Sequence, residues 1–290
     1  MTRYDDDPAP LRSVAETLAA EAAAFVRSRR AEVFGAAAGA PGSGAVRSKS
    51  TPTDPVTVVD TETERLLRAR LAQLRPGEPI LGEEGGGPVD PTAASGSALT
   101  WVLDPIDGTV NFVYGIPAYA VSVAVQVDGV SVAGAVADVV PGLVYSAASG
   151  LGAHVTDERG THALRCSTVD NLSMALLGTG FGYSRRRRSA QAALLAQMLP
   201  VVRDVRRIGS AALDLCMVAA GRLDAFYEHL QVWDSAAGAL IATEAGARVL
   251  LPAPIGAVGG AGLVVAAAPG IADELVATLK RFNGLEPMPD

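Results

Sequence analysis

The sequence predicts a fold that combines α+β and α/β architecture within 290 residues. Between residues 119 and 148, apolar runs are joined by Asp-Gly and Pro-Gly turns, which is typical of an antiparallel meander. From about Ser167, strand and helix patterns alternate, which is typical of α/β structure. We therefore expect an α+β part with an antiparallel sheet at residues 1–166 and an α/β part at residues 167–290.

Composition and charge limit the function classes. The chain has 24 Lys and Arg against 31 Asp and Glu, and this acidic balance argues against general nucleic-acid binding. The Arg185–Arg188 run is the local exception, and we interpret it as the solvated start of a helix rather than as a basic patch. Because apolar runs are short and Asp5–Asp7 occupy the place of a basic signal-peptide region, we expect a cytoplasmic protein without a membrane partner. Cys166 and Cys216 lack metal-ligand spacing and are expected to be buried thiols.

The N-terminal elements follow from apolar spacing and capping residues. Residues 1–10 are polar and contain proline, so we expect them to be disordered. Helical spacing of apolar residues predicts a helix at about 11–33, followed by a mobile loop rich in Gly, Ala and Ser at 35–48. A short strand then leads to Asp60, an expected N-cap, and the Thr61-x-x-Glu64 pattern predicts a capping box that opens the next helix.

Two apolar runs are predicted to be strands that end in carboxylates. Ile80–Gly82 leads to the pair Glu83-Glu84, and Trp101–Leu103 leads to Asp104. The predicted strands that follow are Tyr119–Val127, Val130–Val140 and Leu143–Ala148, with a hairpin near 150–160.

The C-terminal part is predicted to alternate between strands and helices. The expected strands are Ala175–Leu177, Val205–Ile208, Leu223–Tyr227, Arg248–Leu251 and Leu263–Ala267. The expected helices are 186–199, Gly209–Ala220, Trp233–Ala245 and 271–282. Asp234 then lies in the first turn of its helix, where a carboxylate is favoured by the helix dipole even without another role.

The stretch Trp101–Phe112 carries the strongest chemical signal. Asp104 and Asp107 are expected to emerge together at a strand end, where α/β active sites lie. Two close carboxylates repel each other unless a cation lies between them, and oxygen ligands without nearby His or Cys favour Mg²⁺, Mn²⁺ or Ca²⁺ over zinc. Gly108 allows close backbone approach, and Thr109 offers an amide suited to an anion. The simpler alternative is an Asp-Gly turn after a strand.

Two phosphate chemistries fit this stretch. In the haloacid-dehalogenase phosphatases a strand ends in Asp-x-Asp-Gly-Thr and the first Asp is the nucleophile, but Pro105 occupies that position here. The spacing Asp-Pro-Ile-Asp-Gly-Thr at 104–109 instead resembles the inositol monophosphatase family. Gly82-Glu83-Glu84 and Trp233-Asp234-x-x-Ala237-Gly238, continuing to Gly246, resemble that family's other signatures in the same order.

The resemblance implies the layered αβαβα sandwich of the sugar phosphatases. It further implies Mg²⁺-dependent hydrolysis of a small-molecule phosphate monoester by metal-activated water, without a covalent phosphoenzyme. Two or three Mg²⁺ ions per active site, Mn²⁺ as a substitute, lithium sensitivity and a homodimer belong to the same set of expectations.

The resemblance also implies a set of metal ligands. Glu83, Asp104 and the carbonyl of Ile106 would hold the first metal ion. Asp104, Asp107 and Asp234 would hold the second, with Asp104 bridging the two ions, and Glu83 would hold a third and weaker ion.

The catalytic and phosphate-binding roles are likewise implied by position. The backbone amides of Gly108 and Thr109 resemble those that hold the phosphate. Thr109 with Asp60 resembles the pair that positions the attacking water, Lys49 lies on the loop beside them, and Glu83 completes the catalytic set.

Substrate contacts are the least informative part of the sequence. Gly209, Ser210, Ala211 and Glu228 fall where relatives contact the inositol ring, and a carboxylate such as Glu228 is a suitable acceptor for sugar hydroxyls. The interval from Glu228 to Asp234 is one residue shorter than in relatives, which concerns the ring contact and not the metal site.

The segment 205–210 is most similar to the inositol branch, so inositol 1-phosphate is the expected substrate. The same fold serves relatives that hydrolyse histidinol phosphate, fructose 1,6-bisphosphate, phosphoadenosine phosphate or NADP. A second class of function stays open, because some relatives act as scaffolds or binding modules for transcription and RNA-processing machinery.

Overall fold

The computed structural model describes residues 7–35, 45–49, 53–87, 99–253 and 261–289. Its first strands, β1 Val46–Ser48 and β2 Pro55–Thr57, form a small antiparallel ribbon. The next seven strands are β3 Ile80–Gly82, β4 Leu99–Asp107, β5 Ala120–Val127, β6 Val130–Asp138, β7 Leu143–Ala148, β8 Ala153–Asp157 and β9 Gly160–Ala163. They form one sheet in sequence order, parallel between β3 and β4 and antiparallel thereafter, so the predicted meander is confirmed.

A five-stranded sheet is built from the C-terminal part of the chain. Its strands are β10 Leu176–Thr179, β11 Asp204–Arg206, β12 Ala225–Leu230, β13 Arg248–Leu250 and β14 Gly262–Ala267. Their order is β11-β10-β12-β14-β13, with β10 parallel to β11 and β12, and with β14 antiparallel to its two neighbours. Each strand predicted for this part is present, with ends that differ by up to three residues.

The helices complete a layered αβαβα arrangement. They are α1 Pro8–Phe34, α2 Val58–Leu74, α3 Thr109–Tyr114, α4 Arg185–Met198, α5 Ala211–Ala219, α6 Val232–Glu244 and α7 Ala272–Arg281. One core joins α1 and α2 to the outer face of the seven-stranded sheet, a second joins both sheets to α5 and α6 between them, and a third joins α4 and α7 to the five-stranded sheet. The expected fold class is therefore confirmed.

Side-chain size along the seven-stranded sheet determines how closely α5 and α6, the helices between the two sheets, approach that sheet. Alternate residues of β5 point to opposite faces, so that Val123 lies in the outer core and Ala124 in the inner one. On β6, a Cβ at Gly134 would lie 3.1 Å from the Cα of Ala237 on α6. Small residues on the inner face thus bring α6, and the carboxylate at its start, close to the ends of the central strands.

The N-terminal expectations need two corrections. Helix α1 begins at Pro8, because Asp7 caps it by accepting a hydrogen bond from the amide of Ala9 over 3.1 Å. Of the expected disordered segment, residues 1–6 lie outside the described residues. The expected loop at 35–48 ends in a strand, since Val46–Ser48 pairs with β2, and residues 36–44 lie outside the described residues.

The predicted capping box of α2 is wrong. Thr57 is the N-cap, and its hydroxyl accepts from the amide of Val59 over 3.2 Å, while Asp60 accepts from the amide of Thr57 over 2.9 Å. The box is therefore Thr57-x-x-Asp60, with Asp60 in the first turn rather than at the N-cap. The strand β2 passes directly into the helix, and the apolar pair after Thr57 hides the boundary in the sequence.

The division at residue 166 stays a prediction about folding units. The seven-stranded sheet ends at Ala163 and the five-stranded sheet begins at Leu176, but one hydrophobic core includes residues from both parts. Cys216 is a buried free thiol and Cys166 a half-buried one. Within the described ranges, no helix is long and apolar enough to span a bilayer.

Candidate active site

A cavity of about 670 Å³ opens where the ends of β3 and β4 meet the start of α6. Most of the predicted site residues line it, and the lining residues are Lys49, Asp54, Glu83, Asp104, Ile106, Asp107, Gly108, Thr109, Gly180, Phe181, Gly182, Tyr183, Ser184, Arg187, Arg207, Gly209, Ala211, Glu228, His229, Leu230, Gln231, Trp233 and Asp234. The structure thus brings together residues that are far apart in the chain.

Four of the carboxylates that line this cavity, the expected metal ligands, come from three elements. Glu83 follows β3, Asp104 and Asp107 belong to β4, and Asp234 lies in the first turn of α6. The pairing of β4 with β5 is irregular between Asp104 and Asp107, where Pro105 interrupts the ladder. The amide of Ile106 donates to Asp104 Oδ1 over 3.0 Å and fixes the turn of the chain between the two acids.

Protein donors also hold the other three carboxylates. Asp107 accepts from the Ser210 hydroxyl over 2.6 Å and from the Ala212 amide over 2.7 Å. Asp234 accepts from the amide of Gln231 over 2.8 Å, and Lys49 Nζ lies 2.7 Å from Glu83 Oε1. Among the described residues, no three His, Cys, Asp or Glu side chains are already arranged as a metal-binding group.

The electrostatics of the cluster favour a cation. Burial raises the pKa of Asp104 well above its ordinary value, and the charges of Glu83, Asp107 and Asp234 raise it further. Burial, followed by Asp107 and Glu83, likewise raises the pKa of Asp234. A divalent ion would remove both the repulsion and the desolvation cost, and clustered carboxylate and carbonyl oxygens are the donors that Mg²⁺ takes. The residues present therefore fit a hard divalent cation.

Lys49 lies between two carboxylates at the rim of the cavity. Its Nζ contacts both Glu83 and Glu84. Burial alone would lower the pKa of Lys49, but Glu83 and Glu84 outweigh burial and raise it, so the side chain stays cationic. The paired acids are held in turn by Glu64, which accepts from the amides of Glu84 and Gly85 over 2.7 and 2.9 Å. Glu64 was missed as a supporting residue because the sequence placed it in a capping box.

Asp60 and Thr109 lie together, as the family resemblance implied. Thr109 Oγ1 lies 3.2 Å from Asp60 Oδ1 and 3.0 Å from the carbonyl oxygen of Ile106. Burial raises the pKa of Asp60 to about 7, although its hydrogen bonds with Thr57 act in the opposite direction. Gly108 takes φ +93°, and a Cβ there would lie 3.0 Å from the carbonyl oxygen of Gly209, so a side chain would be strained and crowded.

The expected substrate contacts come from the C-terminal part of the chain and belong to a second wall of the cavity. Gly209, Ala211 and Glu228 line it. Ser210 is buried, and its hydroxyl donates to Asp107 and accepts from the amide of Leu213 over 3.3 Å. Its expected substrate contact stays a prediction, whereas its position indicates support of Asp107 and of the α5 N-terminus.

Four groups on this wall were missed from the sequence. Gly180–Tyr183 follows β10 and borders the cavity, as does Arg207. Arg187, from the basic run at the start of α4, also lines the cavity, so this residue is not part of a purely solvated helix start. His229 was missed as well, and burial followed by the charge of Arg187 lowers its pKa. The glycine pair after a short apolar strand was the signal that could have identified this wall.

One known protein family matches the chain over nearly its whole length. The model of the inositol monophosphatase family matches residues 7–284. The chain belongs to the inositol monophosphatase family. It is accordingly an enzyme of the phosphatase class, a phosphoric monoester hydrolase.

Relatives in this family differ in their names. The chain is 79% identical to the inositol-1-monophosphatase of Mycobacterium leprae over 291 residues, which is 100% of each chain. It is 41% identical to the Nus factor SuhB of Pseudomonas aeruginosa, over 68% of this chain and 72% of the relative. The solved structure of Mycobacterium tuberculosis SuhB covers 97% of this chain and is itself covered completely, with a TM-score of 0.82 and 69% identity.

Proposed function

We propose that this protein hydrolyses inositol 1-phosphate to inositol and phosphate in a Mg²⁺-dependent reaction that uses water as the nucleophile. One observation carries the proposal. Glu83, Asp104, Asp107 and Asp234 line a single cavity although they come from three separate elements. A buried acidic cluster is unfavourable by itself, and a resident divalent cation is the simplest compensation.

The metal ligands proposed are those of the family resemblance. Glu83, Asp104 and the carbonyl of Ile106 would hold one ion, and Asp104, Asp107 and Asp234 a second, while Glu83 would hold a third and weaker one. Bound Mg²⁺ supplies Lewis acidity that makes water a better nucleophile and offsets charge on phosphoryl oxygens. Ser210 and the Ala212 amide hold Asp107 in place, which supports a preorganised ligand.

The chain's own residues would then orient water and phosphate. Asp60 and Thr109, which are already hydrogen-bonded, would align the attacking water, and no side chain would become phosphorylated. The backbone amides of Gly108 and Thr109 would hold the phosphate. Lys49 would add positive charge beside Glu83 as negative charge accumulates on the phosphoryl group.

Substrate choice is proposed from the second wall of the cavity. Gly209 and Ala211 would contact the inositol ring, and Glu228 would accept hydrogen bonds from ring hydroxyls. The name inositol-1-monophosphatase carried by the 79% identical relative supports inositol 1-phosphate over the other monoesters. Lithium inhibition, Mn²⁺ substitution, a homodimer and a cytoplasmic location are parts of the same proposal.

The first test is phosphate release with Mg²⁺, with Mn²⁺, with added Li⁺ and with EDTA. The substrate panel is inositol 1-phosphate, histidinol phosphate, fructose 1,6-bisphosphate, phosphoadenosine phosphate and NADP. A clear preference for inositol 1-phosphate that EDTA abolishes is the expected result. Preference for another ester would mean that the second wall binds an alcohol group other than inositol. Absence of any metal-dependent phosphate release would contradict the proposal as a whole.

A second candidate function is a binding module for transcription or RNA-processing machinery. The observation that favours it is the name Nus factor SuhB of relatives that are 38–41% identical. Affinity capture with wild type and with the Asp104→Asn variant separates the two functions. Capture of such machinery at equal strength by both proteins would support a binding role that is independent of catalysis.

A further inference from the structure

A buried amide side chain in α3 connects two parts of the cavity wall. Asn111 is only 4% exposed and lies in the first turn of α3. Its Nδ2 atom donates to the carbonyl oxygen of Ala118 over 2.8 Å and to that of Ile208 over 2.9 Å. Both partners are backbone carbonyls, which can only accept, so the amide nitrogen must be the atom that faces them. Asn111 therefore links α3 to the loop before β5 and to the connection between β11 and α5.

The same two segments enclose Gly108, whose amide is proposed to hold the phosphate. A Cβ at Gly108 would lie 3.0 Å from the carbonyl oxygen of Ala118 and 3.0 Å from that of Gly209. A Cβ at Gly209, which takes φ +96°, would lie 2.7 Å from Asn111 Nδ2. The two glycines thus allow these segments to approach more closely than side chains would. The phosphate side of the cavity, formed by residues 108–109, and the ring side, formed by residues 208–211, meet here.

The phosphate side is anchored without Asn111. Thr109 Oγ1 donates over 3.2 Å to a carboxylate oxygen of α2, and Arg30 of α1 donates to the carbonyl oxygen of Phe112 over 2.9 Å. Two long helices therefore fix α3 from outside the cavity. Loss of the Asn111 amide should leave the phosphate-binding amides in place.

The ring side depends on side-chain contacts for its position. Ile208 and Gly209 lie between β11 and α5, outside the helices and strands, and the Asn111 amide holds the Ile208 carbonyl. The next anchor is Asp107, which accepts from the Ser210 hydroxyl over 2.6 Å and from an amide of α5 over 2.7 Å. This second anchor keeps α5 tied to β4. Loss of the Asn111 amide should therefore release only the segment around Gly209.

We propose that Asn111 is a positioning residue for substrate selectivity, because its two hydrogen bonds set the separation between the phosphate side and the ring side. A polyol phosphate binds both sides at once and needs this separation to be correct, whereas a phosphate ester without ring hydroxyls does not. The inference rests on the proposed function, because it requires that Gly209 and Ala211 contact the polyol ring. It assigns Asn111 no contact with substrate or metal ions.

The test compares two substitutions of Asn111 with a control on the same helix. Asn111→Ala removes both hydrogen bonds, and Asn111→Asp keeps the size of the side chain but places acceptor oxygens against the two carbonyls. Val113→Ala is the control, because Val113 is also 4% exposed in α3 but is apolar and packs in the outer core. KM and kcat are measured at saturating Mg²⁺ for inositol 1-phosphate and for p-nitrophenyl phosphate, which has no ring hydroxyls. Melting temperatures are measured for every variant.

We expect Asn111→Ala to raise the KM for inositol 1-phosphate about fivefold to tenfold, the loss equivalent to one hydrogen bond, and Asn111→Asp to raise it at least as much. The KM for p-nitrophenyl phosphate should stay within about twofold of wild type, since the phosphate side keeps its own anchors. Both kcat values should change less than the KM for inositol 1-phosphate. Val113→Ala should lower the melting temperature without changing the ratio of the two KM values.

Three outcomes would overturn the inference while the wild type is active. Equal KM increases for both substrates would show that Asn111 supports the cavity as a whole. An unchanged KM for inositol 1-phosphate in either Asn111 variant would show that the separation does not depend on these hydrogen bonds, and Asn111→Ala decides this alone if Asn111→Asp does not fold. A similar change of the KM ratio in Val113→Ala would attribute selectivity to the stability of α3. A wild type without metal-dependent activity on inositol 1-phosphate would instead overturn the proposed function together with this inference.

Discussion

The hydroxyl of Thr109 donates a hydrogen bond to Asp60 over 3.2 Å, although the two residues are 49 positions apart in the chain. Asp60 is fully buried in the first turn of α2, and Thr109 begins α3 at the edge of the cavity. This bond connects a carboxyl group whose pKa burial raises to about 7 with a hydroxyl at the cavity. An acid near neutrality is suited to accept a proton through such a hydroxyl.

The first prediction concerns this pair. Asp60→Asn and Thr109→Val should each lower kcat at least about 100-fold, because loss of a positioned general base costs that much, while KM changes little. The double variant should lose about as much as one single variant, since the two groups act as a unit. Phosphate release at saturating Mg²⁺ measures the effect. Losses that multiply in the double variant would show that the residues act independently.

A matched control is available on the same helix. Thr63 is as deeply buried as Asp60, and its hydroxyl donates to the carbonyl of Val59 over 2.7 Å. Thr63→Val makes the same hydroxyl-to-methyl change as Thr109→Val, so it should affect stability but leave kcat within about twofold.

The second prediction concerns the bridging carboxylate. Asp104→Asn should lower turnover by several orders of magnitude and weaken Mg²⁺ binding in calorimetry, because Asp104 is the ligand proposed to contact two ions. Asp204→Asn is the control, since Asp204 is an exposed acid paired with Arg206 over 2.6 Å. Equal activity of wild type and Asp104→Asn would contradict the assignment of Asp104 as a metal ligand.

The third prediction concerns Lys49. Its ammonium group lies 2.7 Å from Glu83 and also contacts Glu84, so it competes with any cation for the same oxygens. Lys49→Gln should lower the dissociation constant for Mg²⁺ by roughly threefold to tenfold, the effect of about 1 kcal/mol of relieved repulsion in a partly solvated site. Calorimetric titration of the metal-free protein measures it, with the exposed Lys280→Gln as control. Weaker Mg²⁺ binding by Lys49→Gln would instead show that Lys49 holds its loop in the conformation that binds the ion.

The elements that position the proposed metal ligands could be predicted because their signals are local. The Trp101–Leu103 run is buried and passes into Asp104 and Asp107, and Asp234 starts a helix with clear apolar spacing. The capping box of α2 could not be placed correctly, because Thr57-x-x-Asp60 and Thr61-x-x-Glu64, which are four residues apart, both fit the pattern. In the folded chain Glu64 accepts hydrogen bonds from the amides of Glu84 and Gly85, and Thr57 with Asp60 forms the capping box.

The second wall of the cavity could be predicted only in part. Glu228 was expected from the resemblance, but the positions of Asp214 and Arg207 were not, because they depend on the register of β10 with β12 and on the approach of α5. Gly178 and Gly180 are individually unremarkable in the sequence, and only the paired sheet shows that both make room for acids. Contacts between distant segments of this kind leave no local pattern.

The last prediction concerns stability of the metal-free protein as a function of pH. The ordinary pKa of an aspartate is 3.8, and in the folded protein burial, followed by Glu228 and Asp107, raises the pKa of Asp214 to about 9. Between these values the folded state holds one proton more at Asp214 than the unfolded state, so this group lowers the free energy of unfolding as pH rises through that window. Asp214→Asn removes the titration. Urea unfolding in EDTA should therefore show Asp214→Asn gaining stability relative to wild type between about pH 5 and pH 9, by more than about 1.4 kcal/mol, the equivalent of one pKa unit.

Asp204→Asn is the control and should show no such gain, because the hydrogen bond with Arg206 lowers the pKa of the exposed Asp204 carboxylate. A stability difference that stays constant with pH would show that Asp214 ionises normally in the folded protein, and would contradict the raised pKa.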